Sequence, residues 1–338
     1  MNKPIVCFGE VLLRLSSPGK ELLLQSPHLD VHVGGAEANV AVSLHRFGHD
    51  ARMVSVLPDS SLGHACSDEL RRHGVNTAAI RFREGRMGMY FLTHGAGRRP
   101  AEVLYDRANS AFASAPADLH DWEALLAESA WLHVSGITPA VSAAAAAAAL
   151  RAMAAARRRN VRISFDCNFR ARLWGTRAAE APPVLRQLCE QADLIFGDER
   201  DIAFMLGFKA EEADAAQRRR RAANAAFDAF SHLQYIACTD RIRHSVDVQQ
   251  LTGCLQSKSE GWVSRSWPLD GIVDRIGAGD AFAAGVLHGL ISGLAPQKAV
   301  DFGAAAACLK HSIPGDFNLV GVADVDLLLS EQQLDVRR

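Results

Sequence analysis

Short runs rich in β-branched and aromatic residues alternate along most of this chain with longer stretches in which apolar residues recur every three or four positions. The strand-like runs fall at 5–8, 52–57, 130–135, 161–166, 194–196, 234–238 and 261–267, with helical segments between them. That order predicts an α/β fold: a three-layer α/β/α sandwich on a mainly parallel central sheet. The helix over 38–47 closes at Gly48, and the alanine-rich helix over 142–159 ends in arginines that suit its C-terminal dipole. Two regions break the rhythm. Residues 28–33 alternate polar and apolar, and 87–93 with 102–106 read as a hairpin around Gly95-Ala96-Gly97-Arg98-Arg99-Pro100. Half-buried antiparallel strands do not belong inside a parallel sheet. The expectation is one domain over 1–338, with a small β-sheet lid inserted at about 11–34 and 86–108. In such a lid Tyr105 and Arg107, two apart, project from one face toward the cleft beneath. Its open edge predicts a homo-oligomer, a dimer or higher, because an unpaired strand edge is usually covered.

Composition narrows the function classes. A chain of 338 residues with 49% hydrophobic content can bury a large core. A net charge of −1 supplies no field for nucleic acid or an anionic membrane surface. Seven cysteines, an odd number without a C-x-x-C pair, point to reduced thiols in a cytoplasmic protein. The apolar run near the start is interrupted by Glu10 and Arg14, which fits a first strand rather than a signal peptide. Nowhere does an apolar run approach the roughly 18 residues of a membrane span. The thirteen histidines show no metal-ligand spacing, and the four arginines at 218–221 read as a solvated helix face.

The chemistry concentrates at a few places. Gly277-Ala278-Gly279-Asp280 precedes a helix whose apolar face runs through Phe282, Val286 and Leu290. The amides of Gly277, Ala278 and Gly279 then have no intrahelical partners, and with the helix dipole they form an anion site. A carboxylate beside such a site makes sense if the anion is a phosphoryl group in transit and Asp280 takes the proton of the attacking hydroxyl. The same pattern also serves a well-capped helix. Gly34-Gly35-Ala36-Glu37-Ala38-Asn39 lets backbone approach a ligand closely and offers the Asn39 amide to hydroxyl groups. Asp166, Asn168 and Arg170 follow a strand at its carboxyl end, where ligands bind in open α/β sheets. Arg107 and Arg170 can approach one anion from two sides, and a guanidinium fork suits a carboxylate.

These residues resemble the ribokinase-like (PfkB) family of carbohydrate kinases over nearly the whole chain. The signatures are 34–48, Tyr90, Tyr105 to Arg107, and Gly277 to Asp280. Asp166-x-Asn168-x-Arg170-x-x-Leu173-Trp174 and the run from Lys310 to Asn318 resemble its 2-keto-3-deoxygluconate kinase branch. The resemblance implies ATP-dependent phosphorylation of 2-keto-3-deoxygluconate to its 6-phosphate, with Asp280 as general base and Gly277, Ala278 and Gly279 as the anion hole. It puts the sugar acid against Gly35, Asn39, Tyr90, Tyr105, Arg107, Arg170, Asp280 and Asp316. It puts ATP against Asn168, Phe169, Arg170, Thr239, Arg241, the Gly277 to Gly279 turn and Ala304. Magnesium is implied, with Asp201 acting through water, and a monovalent cation is compatible with the family.

The chain departs from the family in two places. Asp198 and Asp201 stand where the family commonly has Asn and Glu, and Cys238-Thr239-Asp240-Arg241 replaces its usual lysine or glycine. Asp198 also reads as a helix N-cap. Alternatives are a kinase of the same family for another keto-sugar acid or a neutral sugar such as fructose or ribose, and a nonenzymatic binding module or Rossmann-type oxidoreductase. The last two fit poorly, since no G-x-G-x-x-G opens a helix after the first strand and mere binding gives Asp280 no task.

Overall fold

The computed structural model of the chain describes residues 3–208, 212 and 214–330; the ends of the expected 1–338 domain, 1–2 and 331–338, lie outside them. The centre is a ten-stranded sheet. Its parallel core runs Tyr235–Arg243, Leu194–Phe196, Arg162–Asp166, Trp131–Ser135, Ile5–Phe8, Ala51–Pro58 and Ile80–Arg83 in spatial order. Adjacent residues of one strand serve opposite faces, as the period of two requires. Ile5 and Cys7 join one core with Ala38, Leu44, Val286 and Val300, while Val6 and Phe8 join the other with Ala149, Met153, Leu185 and Ile202. Helices Ala36–Arg46, Ala278–Ile291 and Pro296–Lys310 cover the first face, and Ala143–Arg158, Ala181–Cys189 and Glu199–Leu206 the second. This is the expected three-layer α/β/α fold. Among the described residues no helix is long and apolar enough to cross a membrane.

A separate four-stranded sheet forms the lid, in the order Asp30–Gly34, Leu12–Ser16, Met89–Thr93, Glu102–Asp106. The expected hairpin is present, with Tyr90 opposite Tyr105. The run near the start divides. Ile5–Phe8 enters the main sheet, whereas Leu12–Ser16 crosses into the lid and pairs parallel with Met89–Thr93. The resulting register lines Arg14, Tyr90 and Tyr105 across one face.

Two expectations are corrected and two strands are added. The strand-like run 261–267 is two strands, Gly261–Val263 and Trp267–Asp270, both antiparallel to Val248–Gln256. That last strand and Ile80–Arg83 were not expected from the pattern. The arginines at 218–221 are held rather than simply solvated. Arg219 pairs with Asp240 at 2.9 Å, Arg220 donates to the carbonyls of Ser257 and Lys258, and Arg221 pairs with Glu212.

Candidate active site

The carboxyl ends of the central strands, the underside of the lid and the start of helix Ala278–Ile291 enclose a cleft of about 800 Å³. Gly277 caps that helix at φ 78°, and a Cβ there would overlap the Asp316 carbonyl oxygen, so only glycine fits. The turn thereby leaves the amides of Gly277, Ala278, Gly279 and Asp280 without intrahelical partners at the positive end of the dipole. Asp280 stands in the first turn and lines the cleft. Asn39 Nδ2 donates to Asp280 Oδ2 at 2.7 Å, which leaves Oδ1 for a ligand. Burial pushes Asp280 up to about 6, with the Asn39 bond working against the rise. Gly35 stands at φ 142° where a side chain would meet the Glu10 carbonyl, and it is the N-cap of the helix that carries Asn39.

Under the lid lies a network of buried charge. Arg14, fully buried, reaches Asp274 at 2.7 Å and Asp316 at 3.1 Å, the second as an ion pair without hydrogen-bond alignment. Tyr90 donates its hydroxyl to Asp316 Oδ2 at 2.8 Å, and Lys310 donates to the Ile313 carbonyl at 2.9 Å. Burial acts against Arg14's charge, but Asp316 and Asp274 more than offset it and hold the guanidinium above its ordinary value. Burial likewise opposes the charge of Asp274, and Arg14 keeps it below the usual carboxylate range. Asp316 is pushed up to about 6 by burial against the pull of Arg14. The network fixes the turn from below, since Lys310 and Asp316 both crowd Gly277.

Tyr90, Tyr105 and Arg107 all line the cleft as expected. Arg107 has a partner that the sequence did not announce. Its Nε donates to buried Glu10 at 2.7 Å, and Ser110 donates to the other Glu10 oxygen at 2.5 Å. The bond uses Nε and leaves the two Nη groups for a ligand.

At the strand ends Asp166, Asn168, Phe169 and Arg170 meet in the same cleft. Asn168 takes a left-handed conformation, φ 36°, and its backbone amide donates to Asp166 Oδ1 at 3.1 Å. Burial, then the charges of Asp280 and Asp201, push Asp166 up to about 8, with Arg170 opposing. Asp201 is pushed up to about 6 by burial and by Asp198. Asp198 and Asp201 form a reciprocal capping box: Asp198 accepts from the Arg200 and Asp201 amides, and Asp201 Oδ2 accepts from the Asp198 amide at 3.0 Å. Both also line the cleft. Thr239 and Arg241 form its wall on the side of the turn.

Two expected contacts do not line the cleft: Ala278, fully buried within the turn, and Ala304. Ala304 is fully buried in helix Pro296–Lys310 and packs behind Phe282 and Gly253, away from the cleft wall. The charged residues missed as site components include Glu10 and Arg14, then Asp274 and Lys310, together with Arg200 and Arg275 of the cleft lining. For the first two there was a signal, because a charge that interrupts an apolar strand must be paired if it is buried. Among the described residues no group of three or more His, Cys, Asp or Glu side chains has the geometry of a metal cage.

The pfkB family carbohydrate kinase model matches residues 2–227 and 252–317. A 2-dehydro-3-deoxygalactonokinase of Haloferax volcanii is 32% identical over 330 residues, covering 97% of each chain. A 2-dehydro-3-deoxygluconokinase of Bacillus subtilis is 28% identical over 94% of this chain and 92% of its own. Among solved structures, the 2-dehydro-3-deoxygluconokinase of Thermotoga maritima superposes with a TM-score of 0.92 at 37% identity, covering 97% of this chain and 99% of its own. With the family model matched over most of the chain and a relative 32% identical along nearly its whole length, the chain belongs to the pfkB family of carbohydrate kinases.

Proposed function

We propose that this kinase transfers the terminal phosphoryl group of ATP to the 6-hydroxyl of 2-keto-3-deoxygluconate, with Asp280 as general base. The observation that carries the reading is that Asp280, with one oxygen held by Asn39, shares one cleft with the turn amides and with Tyr90, Tyr105, Arg107 and Arg170. Asp280 is ionised at neutral pH yet close enough to its titration point to accept a hydroxyl proton efficiently. The amides of the turn stabilise charge on the transferred group, and the guanidinium groups of Arg107 and Arg170 orient the acid end of the sugar. The relatives named for 2-keto-3-deoxy sugar acids support this choice of acceptor.

The acidic wall fits a magnesium ion carried in with the nucleotide. Burial pushes Asp166, Asp201 and Asp280 all up, and the charges of Asp280 and Asp201 add to the rise of Asp166, which a cation would relieve. Without a protein cage, these carboxylates would hold it through water and phosphate oxygens, where it supplies charge neutralisation of the phosphates. Asp201 spends Oδ2 on the capping box and keeps Oδ1 for such a water. The outer face of the lid exposes Val31 and Leu104, which suits the homo-oligomer expected from the open edge.

A second reading has one observation in its favour: Glu10 already neutralises Arg107, as a neutral-sugar site would tolerate. An ADP-release assay with ATP, magnesium, 2-keto-3-deoxygluconate, its galactonate epimer, fructose and ribose separates the two. The sugar-acid reading predicts turnover on the acids only, and a raised KM for them in Arg107→Ala by about 10-fold or more, the scale of a lost charge-assisted hydrogen bond. Preference for fructose or ribose, or equal losses for acids and neutral sugars in the variant, would replace it.

A further inference from the structure

We propose that Arg275 and Arg241, supported by Arg243 and fixed by His311, form a clamp for the phosphate chain of the donor nucleotide. The inference deepens the kinase reading and rests on it for the identity of the polyanion. Arg241 and Arg275 both line the cleft, Arg275 two positions before Gly277. Among the described residues no ion pair reaches Arg241, Arg243 or Arg275. The acids that neighbour them in the sequence are committed elsewhere: Asp240 to Arg219 at 2.9 Å, Asp274 to Arg14 at 2.7 Å and Asp247 to Lys20 at 2.9 Å.

Among the described residues the one hydrogen-bond partner of the Arg241 side chain is His311, and that contact adds no negative charge. His311 Nδ1 lies 2.6 Å from the Ala307 carbonyl oxygen, which can only accept, so the ring proton sits on Nδ1. Nε2 therefore carries a lone pair and accepts from Arg241 Nη1 at 3.0 Å. Burial and then the Arg241 charge push His311 down to about 4, so it remains a neutral acceptor at any physiological pH. The His311 carbonyl also accepts from the amides of Val273 at 2.9 Å and Asp274 at 3.2 Å, which ties the segment carrying Arg275 to the same residue. Burial, followed by repulsion from Arg275 and Arg243, pushes Arg241 down to about 10. Like charges held together beside an amide turn are costly until an anion arrives.

A phosphate chain fits this arrangement better than the sugar's carboxylate does. It carries several charges where a carboxylate carries one, and planar guanidinium groups bind phosphate bidentately. Arg275 and Arg241 adjoin the turn and Thr239, whereas Arg107 comes from the lid and is already paired with Glu10. Arg241 also lies in Cys238-Thr239-Asp240-Arg241, the segment that replaces the family's usual lysine or glycine.

The test is calorimetric binding of inorganic tripolyphosphate, ATP and adenosine to the full chain, with KM measured for ATP and for 2-keto-3-deoxygluconate. In Arg275→Gln the clamp predicts a loss on the order of 10- to 100-fold for tripolyphosphate and ATP, the scale of a charge-assisted bond. Adenosine affinity and sugar-acid KM stay within about 2-fold, and Arg275→Lys recovers part of the loss. Arg243→Gln, at an exposed position that does not threaten folding, loses less and flattens the salt dependence of tripolyphosphate binding. Unchanged tripolyphosphate affinity in both glutamine variants would overturn the clamp, as would a raised KM for the sugar acid alone. Tripolyphosphate binding needs no acceptor, so failure of the clamp and failure of the sugar-acid assignment give different results.

Discussion

Two walls of the same cleft treat buried charge in opposite ways. Beneath the lid, Arg14 and Lys310 face Asp274 and Asp316, opposite charges meet at contact distance, and Asp274 is held well ionised. At the strand ends, Asp166, Asp201 and Asp280 converge with Arg170 as the one cation acting on all three, and each is pushed up, Asp166 to about 8. The first wall pairs its charges within the protein and supports the Gly277 turn, although burial pushes Asp316 up to about 6 there as well. The second is electrostatically unfinished, and so is the arginine cluster facing it. Unpaired charge of both signs in one cleft is what the proposed phosphate chain and divalent cation would satisfy.

Removing a charge should therefore have opposite effects on the two walls. Arg14→Met strips the cation from two buried carboxylates and is expected to destabilise the fold by about 3–5 kcal/mol, the range for breaking a buried ion network from one side. Urea unfolding followed by circular dichroism measures this, and a loss under about 1 kcal/mol would show that the floor is not scaffold. On the other wall Asp166→Asn is expected to stabilise. With its folded pKa raised to about 8 from the ordinary 3.8, the folded state holds its proton more tightly than the unfolded state does. Stability is then lost as pH rises through that window, and asparagine removes the loss. The gain in Tm over the wild type should be largest at pH 8 and fade toward pH 4. A Tm difference independent of pH would mean that Asp166 is not charge-frustrated in the folded protein.

The contrast also shows what could be read from the chain. The hairpin of 87–93 with 102–106 was legible because alternation and a glycine-rich loop are local signals, and the Gly277 turn because glycines before an apolar helix are local too. Val248–Gln256 was not, since its glutamines and Gly253 dilute the strand pattern and its place is set by pairing with Tyr235–Arg243. Arg14 was seen only as an interruption of an apolar run. Its partners lie 260 and 302 positions along the chain, so nothing local could pair them. Ala304 was carried over by family likeness, and the packing of Phe282 against Gly253 keeps it behind the wall.

The central claim is that Asp280 alone among the converging carboxylates takes the substrate proton. Steady-state and pH-dependent kinetics of Asp280→Asn beside the wild type test it most directly. The account predicts that kcat falls by about 10²-fold or more while ATP affinity and Tm are kept. It also predicts that wild-type kcat/KM drops tenfold per pH unit below about 6, as the base becomes protonated. A variant that turns over at near wild-type rate with the same pH profile would contradict the assignment and leave Asp280 as a first-turn helix residue.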